Sequence, residues 1–94
     1  MKNADIAEVL NDIARLLREK KDSIFKIRAY EKVANGITGM SEDIETLAKE
    51  RRLREIPGVG EAIEKKITEL ITTGKLEYHE KLKAEITGEN DGRV

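Results

Sequence analysis

Apolar residues recur every three or four positions along most of this chain, and polar residues fill the places between them. That spacing is typical of helices with one buried face. In the first segment Asn3 is a suitable N-cap, so we predict a helix over about residues 4–20. The residues expected on its buried face are Ile6, Leu10, Ile13 and Leu17, widened by Val9 and Leu16.

The same spacing predicts three further main helices and a short last helix. Ser23 and Ser41 are placed to cap the second and third helices, and Gly36 is expected to end the second. No segment alternates with the two-residue period of a strand. We therefore predict an all-α fold, a small bundle of four main helices plus a short C-terminal helix. The predicted spans are about residues 4–20, 23–35, 41–50, 61–72 and 76–85.

The segment IPGVG at residues 56–60 interrupts the helical pattern. Pro57 cannot continue a helix, so residues 51–56 are expected to form a first arm. Gly58 and Gly60 permit a tight turn or the close approach of a ligand, and Gly60 directly precedes a helical run. N–H groups at a helix start lack acceptors within the helix, and the helix dipole attracts anions there. We predict a helix-hairpin-helix motif that binds phosphate; the alternative is a helix connector that contains two glycines.

Two lysines on the fourth predicted helix differ in environment. Lys65 points almost opposite the apolar face, into water, whereas Lys66 lies about 85° from the centre of that face. The stem of Lys66 is expected to cover apolar surface and leave its amine partly hydrated. Such an amine can attack an aldehyde and form a Schiff base. The alternative is a lysine that only covers the core, and periodicity alone favours it.

Composition limits the kinds of partner. The chain has 94 residues, no cysteine and a net charge of −1, which fits one domain and argues against bulk electrostatic coating of DNA. Residues 15–32 carry seven basic and three acidic residues, so any DNA contact is expected to be local. No apolar run approaches the about 20 residues that span a bilayer. We expect a cytoplasmic monomer without a membrane partner, nucleoid-associated if prokaryotic, with a domain over residues 1–86 and a flexible tail over 87–94.

His79 is the only histidine. It lies in a polar helical segment, so a surface position is expected rather than a catalytic or metal-binding one. The sequence contains no zinc, nucleotide or calcium motif.

Three segments carry a resemblance to a known family: FKIRAYEKVA at residues 25–34, IPGVG at 56–60 and IEKKITELITTGKL at 63–76. Over about residues 4–86 the chain resembles the N-terminal 8-kDa, lyase-type domain of the family X DNA polymerases. The resemblance implies a domain that binds gapped or nicked DNA near its 5′-phosphate in base excision repair. In several members of that family the domain also removes 5′-deoxyribose phosphate. No polymerase activity is expected from these residues alone.

The resemblance also implies roles for individual residues. Lys66 matches the lysine that forms the Schiff base, and Tyr30 matches the neighbouring tyrosine of the lyase site. Carbonyl oxygens of Arg54, Ile56 and Val59 are the groups that can hold a monovalent cation, Na⁺ or K⁺, and no cofactor is required. The residues expected to contact DNA are Phe25, Lys26, Gly58, Val59, Gly60, Glu61, Ala62 and Lys65.

The chain also departs from the family's pattern. Ala62, Tyr78 and Glu31 stand where the family has further basic pocket residues, and Lys65 stands where an acidic residue precedes the nucleophile. Two alternatives to a lyase therefore stay open, a DNA-binding module without chemistry and a helical protein-interaction module. The apolar residues expected to be exposed for the second alternative are Ile24, Ile37 and Met40.

Overall fold

The computed structural model of the chain describes residues 1–88, and this part contains five α-helices and no strand. The predicted all-α class is therefore confirmed. None of the described helices is long and apolar enough to cross a membrane. A single 3₁₀ turn, Leu53–Glu55, precedes the fourth helix. The helices are α1 (Asn3–Glu19), α2 (Ile24–Thr38), α3 (Ile44–Lys49), α4 (Glu61–Thr73) and α5 (Glu77–Thr87).

One hydrophobic core joins the helices. α1 packs mainly against α2 and to a smaller extent against α5. The face of α1 that the periodicity predicts is buried, except that Val9 is only partly buried at its edge. The three core residues of α4 follow one another at helical spacing on the face opposite Lys65: Ile63, Ile67 and Leu70.

The start of α1 differs from the prediction. Asn3 is the first residue of the helix and not its cap, because Lys2 occupies the N-cap position. The side chain of Asn3 is instead used between helices. Its amide donates to the Glu42 carbonyl at 2.7 Å, and its oxygen accepts the Ile44 N–H at 2.9 Å. Asn3 therefore fastens the beginning of α1 to the beginning of α3.

The region of α3 is shorter and more irregular than predicted. Asp43 is the cap in place of Ser41, and its carboxylate accepts the Glu45 N–H at 2.9 Å. After α3, Arg51 adopts a positive φ of 58°, which turns the chain out of the helix. The predicted first arm over residues 51–56 is thus a single 3₁₀ turn. α3 is therefore the shortest helix, and the last helix, which was predicted to be the short one, is longer than α3.

Gly36 does not end α2, as the sequence had suggested. The helix continues to Thr38 and is closed by Gly39. A Cβ atom at Gly36 would lie 3.5 Å from Ile56 Cγ2 and 3.8 Å from Pro57 Cδ. Gly36 therefore lies where the hairpin rests on α2, and this tertiary contact explains a glycine inside the helix.

The continuation of α2 also changes which apolar residues are exposed. Ile37 faces the core with no exposed surface, and Met40 is partly buried against that core. The exposed surface expected from Ile24, Ile37 and Met40 is therefore wrong for the last two. Among the described residues the exposed large apolar side chains are Ile24, at 41%, and Phe25, at 80%.

Replacing Gly36 with Ala should raise the free energy of unfolding by up to about 1 kcal/mol, because alanine is favoured over glycine by that amount inside a helix. The new methyl group would make only ordinary van der Waals contacts with the hairpin. Urea denaturation of wild type and variant measures the difference. A clear loss of stability would show that the hairpin cannot accept even one methyl group on α2.

The last helix runs two residues beyond its predicted end. Thr87 belongs to α5, and Gly88 closes the helix with φ of 73°. Thr87, which was expected to start a flexible tail after a domain over residues 1–86, is the last residue of α5. The rest of that predicted tail, residues 89–94, lies outside the described residues.

Candidate nucleic-acid interface

The hairpin at residues 56–60 joins the 3₁₀ turn to α4. Ile56 and Val59 place their side chains in the core and anchor the turn. The Val59 N–H donates to the Ile56 carbonyl at 3.1 Å, and Gly58 between them has φ of 90°. Only glycine adopts this conformation readily. Pro57, Gly58 and Gly60 are exposed on the outside of the turn.

The start of α4 carries uncapped backbone donors. Gly60 is the N-cap and has no side chain to accept a hydrogen bond, and its carbonyl accepts the Glu64 N–H at 2.9 Å. Within residues 1–88 the N–H groups of Gly58, Gly60, Glu61 and Ala62 have no acceptor, and these residues are exposed. Val59 was also predicted to contact DNA, but its N–H is occupied in the turn. Of the predicted hairpin contacts it is the one without a free donor.

Acidic side chains surround these donors. Glu61 and Glu64 lie in the first turn of α4, where negative charge complements the helix dipole. Glu61 forms an ion pair with Lys65 at 3.3 Å, and Glu64 forms one with Arg54 at 3.1 Å across the hairpin. Lys65 points into solvent, as its position on the helix predicts. A phosphate at this helix start therefore has to compete with the Glu61 carboxylate.

Lys32 of α2 is a cation beside the hairpin that the sequence reasoning missed. Its Cδ and Cγ atoms lie 3.4 and 3.5 Å from the place that a Cβ atom would occupy at Gly58. Lys32 is exposed and forms no ion pair within residues 1–88. The basic cluster over residues 15–32 indicated the region. Only the docking of the hairpin on α2 shows which of its cations lies next to the turn.

Lys66 lies at the edge of the buried face of α4 and is partly buried, as predicted. Its Nζ atom is 4.8 Å from the ring centroid of Tyr78, a cation–π contact. Tyr30 stacks on Tyr78 with 6.4 Å between ring centroids. Burial raises the pKa of Tyr30 well above its ordinary value, and the neighbouring Tyr78 adds to the shift. Lys66 and Tyr30, predicted to share a site, thus belong to one cluster with Tyr78, and Tyr30 stays protonated.

An open pocket of about 690 Å³ lies beside Lys66. Most of its charges are already paired, since Lys65 pairs with Glu61 and Lys81 with Glu77. Among the lining lysines, Lys66 forms no ion pair within residues 1–88. The pocket is lined by Glu61, Ala62, Lys65, Lys66, Glu69, Leu76, Glu77, Tyr78 and Lys81.

Two predicted DNA contacts lie elsewhere. Phe25 and Lys26 are in the first turn of α2, and neither lines the pocket at Lys66. Phe25 exposes its ring to solvent, and Lys26 pairs with Asp22 at 3.7 Å. The structure therefore brings Lys66 and Tyr30 together but does not place Phe25 and Lys26 in the lining of their pocket.

The three carbonyl groups expected to hold a monovalent cation are all in or next to the hairpin. The Ile56 carbonyl accepts one hydrogen bond, from Val59, and keeps a second lone pair. The Arg54 and Val59 carbonyls accept no hydrogen bond within the described residues. Carbonyl oxygens are ligands that hard cations prefer, and a Na⁺ or K⁺ ion on these three groups stays a prediction. Among residues 1–88 no group of His, Cys, Asp and Glu could hold a metal ion.

His79 is not the surface residue that its polar segment predicted. Its side chain is 12% exposed, and its Nε2 atom lies 2.6 Å from Asp12 Oδ2. Arg15 donates to the other oxygen of Asp12 at 3.0 and 2.8 Å. Burial acts to raise the pKa of Asp12, but the hydrogen bonds from His79 and Arg15 lower it below its ordinary value. The carboxylate therefore stabilises the fold above about pH 4, and this contribution is lost as the pH falls through the lowered pKa.

One comparison with known proteins agrees with this geometry. Residues 1–76 match the family model described as "Helix-hairpin-helix domain". The match covers most of the chain, contains the hairpin with α1 to α4, and ends before α5 begins at Glu77.

Proposed function

We propose that this chain, which belongs to the helix-hairpin-helix domain family, binds the DNA backbone at the start of α4. Members of this family generally bind DNA. The observation that carries the proposal is the group of exposed N–H donors at Gly58, Gly60, Glu61 and Ala62, which have no acceptor within residues 1–88. These donors and the helix dipole favour a phosphate there. Lys32 supplies a positive charge beside the turn.

The preferred DNA is gapped or nicked, and the chain acts on it near the 5′-phosphate in base excision repair. The resemblance to the N-terminal domain of the family X DNA polymerases supports this narrower proposal. So does the open pocket at Lys66, because the unpaired ammonium can attract a terminal phosphate. A Na⁺ or K⁺ ion on the carbonyls of Arg54, Ile56 and Val59 would reduce the repulsion between hairpin oxygens and DNA.

An NMR titration with two gapped duplexes, one with a 5′-phosphate and one with a 5′-hydroxyl, tests the proposal. It tests both the contact of the hairpin with the DNA backbone and the narrower proposal of 5′-phosphate recognition. Binding should shift the amide signals of Gly58, Gly60, Glu61 and Ala62 with either duplex. The signals around Lys66 should shift more with the phosphate. The affinity should fall steeply with salt, by a slope of about 0.9 for each phosphate contact.

Two results would contradict the proposal. Amide shifts confined to helix faces away from the hairpin would place the DNA elsewhere. The absence of binding at low salt, together with self-association in light scattering, would favour the protein-interaction module instead.

A second candidate function, 5′-deoxyribose-phosphate lyase activity, is favoured by the partly buried Lys66 next to Tyr30 and Tyr78. The neutral amine of Lys66 would attack C1′ of the ring-opened sugar and release one water to give an imine. Loss of the C2′ proton would then expel the 3′-phosphate group, with the electron pair leaving on its oxygen. Water finally hydrolyses the imine and frees the lysine. This sequence of steps needs no metal ion, oxidant or reductant.

Lys66→Ala should abolish covalent trapping by borohydride on DNA that carries 5′-deoxyribose phosphate, because no imine can form. Lys75→Ala is the control, since Lys75 is exposed to solvent and lies outside the lining of the pocket. It should trap at about the wild-type yield. Denaturing gels after reduction measure the adduct. An adduct of equal yield in Lys66→Ala, or none in wild type, would leave DNA binding as the function without lyase chemistry.

A further inference from the structure

We propose that Asp12 and His79 form a positioning pair that fixes α5 so that Tyr78 holds Lys66 at the pocket. The expected effect of this pair on DNA affinity rests on the proposed function, in which Lys66 contacts the bound strand. The positioning itself follows from contacts on both sides of α5 and can be measured without DNA.

α5 is attached to the rest of the domain by few buried groups. Within α5, residues 77–87, the buried side chain is that of Leu82. The N-cap residue Leu76 has no polar side chain that could accept a hydrogen bond from the first N–H groups of the helix. A glutamate from α4 takes that role, since Glu69 accepts the Glu77 N–H at 2.9 Å. A helix with so little buried surface depends on individual polar contacts for its exact placement.

Within residues 1–88, two charged contacts join α5 to α1 or to its C-cap residue Lys20. Lys20 pairs with Glu85 at 2.8 Å, but both side chains are well exposed, so this pair contributes little. His79 and Asp12 are closer, at 2.6 Å, and largely shielded from solvent. Arg15 holds the Asp12 carboxylate from its other side. The Asp12–His79 contact is therefore the better-defined polar attachment of α5.

This attachment is adjacent in sequence to the ring that touches Lys66. Tyr78 and His79 are consecutive, so their side chains point about 100° apart around the helix. His79 reaches α1, while Tyr78 stacks on Tyr30 of α2 and lies under the Lys66 ammonium of α4. A rotation of α5 that separates His79 from Asp12 would also move the Tyr78 ring. The pair thus fixes the position of a ring on a neighbouring face of the helix.

The NMR signal of Lys66 after reductive ¹³C-methylation of the lysines tests the proposal. The Tyr78 ring current should shift the Lys66 methyl signal away from those of other lysines, and Tyr78→Leu assigns the signal and gives its position without the ring. His79→Leu should move the signal toward that position. His79→Gln should keep it near the wild-type position, because its side-chain amide can still donate to Asp12.

Lys2 and Lys75 are internal controls, since they lie outside the lining of this pocket. Their signals should stay fixed, and circular dichroism should show that each variant is folded. A Lys66 signal that stays in place in folded His79→Leu would overturn the proposal. If His79→Leu does not fold, Asp12→Ala is measured in the same way, because it removes the oxygens that His79 contacts. A Lys66 signal unchanged in that variant would likewise overturn the proposal.

Affinity for gapped DNA separates this inference from the proposed function. His79→Leu should bind about two- to fivefold more weakly, as expected for loss of a modest cation–π contact, and His79→Gln should bind nearly as wild type. If the Lys66 signal moves and affinity does not change, the positioning pair stands and the role of Lys66 in DNA binding fails.

Discussion

Gly60→Ala is expected to weaken binding to gapped DNA about tenfold or more while lowering the free energy of unfolding by at most about 1 kcal/mol, because alanine is a poorer N-cap than glycine. Gly60 has φ of −109° and ψ of −168°, a conformation that alanine adopts without strain. A Cβ atom there would meet no other atom within 4 Å. Apart from this modest N-cap preference, the folded chain alone therefore gives no reason for glycine. A DNA backbone close to the free N–H groups does, because a methyl group would hold the phosphate away from hydrogen bonds worth about 1.5–3 kcal/mol each.

Gly58→Ala is the matched variant, and it should damage both stability and binding. Its φ of 90° strains any residue with a side chain, and the new Cβ atom would lie 3.2 Å from Val33 Cγ2. We expect a loss of about 1–3 kcal/mol in the free energy of unfolding, since left-handed strain alone costs about 1–2 kcal/mol. Thermal unfolding and fluorescence anisotropy with a labelled gapped duplex measure the two effects. Wild-type affinity in Gly60→Ala would show that DNA does not approach this turn.

The helical core was predictable from the sequence because burial imposes a simple period on a helix. Ile6, Leu10, Ile13 and Leu17 recur at that period, and all four are buried in the structure. The hairpin was predictable for a related reason. Pro57 excludes a continuous helix, so a turn had to form between the two apolar patterns.

The helix ends were less predictable because local rules compete with tertiary contacts. Asn3 is a good capping residue, but its amide satisfies the backbone of α3 instead. Gly36 is a good terminator, but its missing side chain serves the contact with Ile56 and Pro57. In both cases the partner lies at least 20 residues away in the sequence. A window of a few residues contains no sign of it.

In the candidate site, too, some features were predictable from the sequence and others depend on tertiary contacts. Charge clusters along the chain indicated basic regions, but pairing decides which charges are free. Lys26 and Lys65 pair with acidic residues one turn away, whereas Lys32 and Lys66 form no ion pair within the part of the chain that the structure describes. The Asp12–His79 pair joins positions 67 residues apart, so no local pattern predicts it.

Leu10→Ala should lower the free energy of unfolding by about 2–5 kcal/mol, which is a large part of the about 5–15 kcal/mol typical of a domain. Leu10 has no exposed surface and belongs to α1, which packs mainly against α2. Because these two helices form the centre of the core, the loss should be global. Urea denaturation should show a lower midpoint, and hydrogen exchange should accelerate at the most protected amides of α1 and α2.

Leu82→Ala, the same substitution on α5, should have a different pattern. Leu82 is buried, but α5 follows the part of the chain that matches the helix-hairpin-helix family, and it packs mainly at the edge of the core. Its amides should lose protection while those of α1 and α2 keep most of theirs, because α5 can open alone. Hairpin binding to DNA should survive, since Gly58 and Gly60 lie before α5. If both variants lost the same global stability, α5 would be part of one cooperative unit with α1 and α2, and the Lys66 pocket could not open separately from the core.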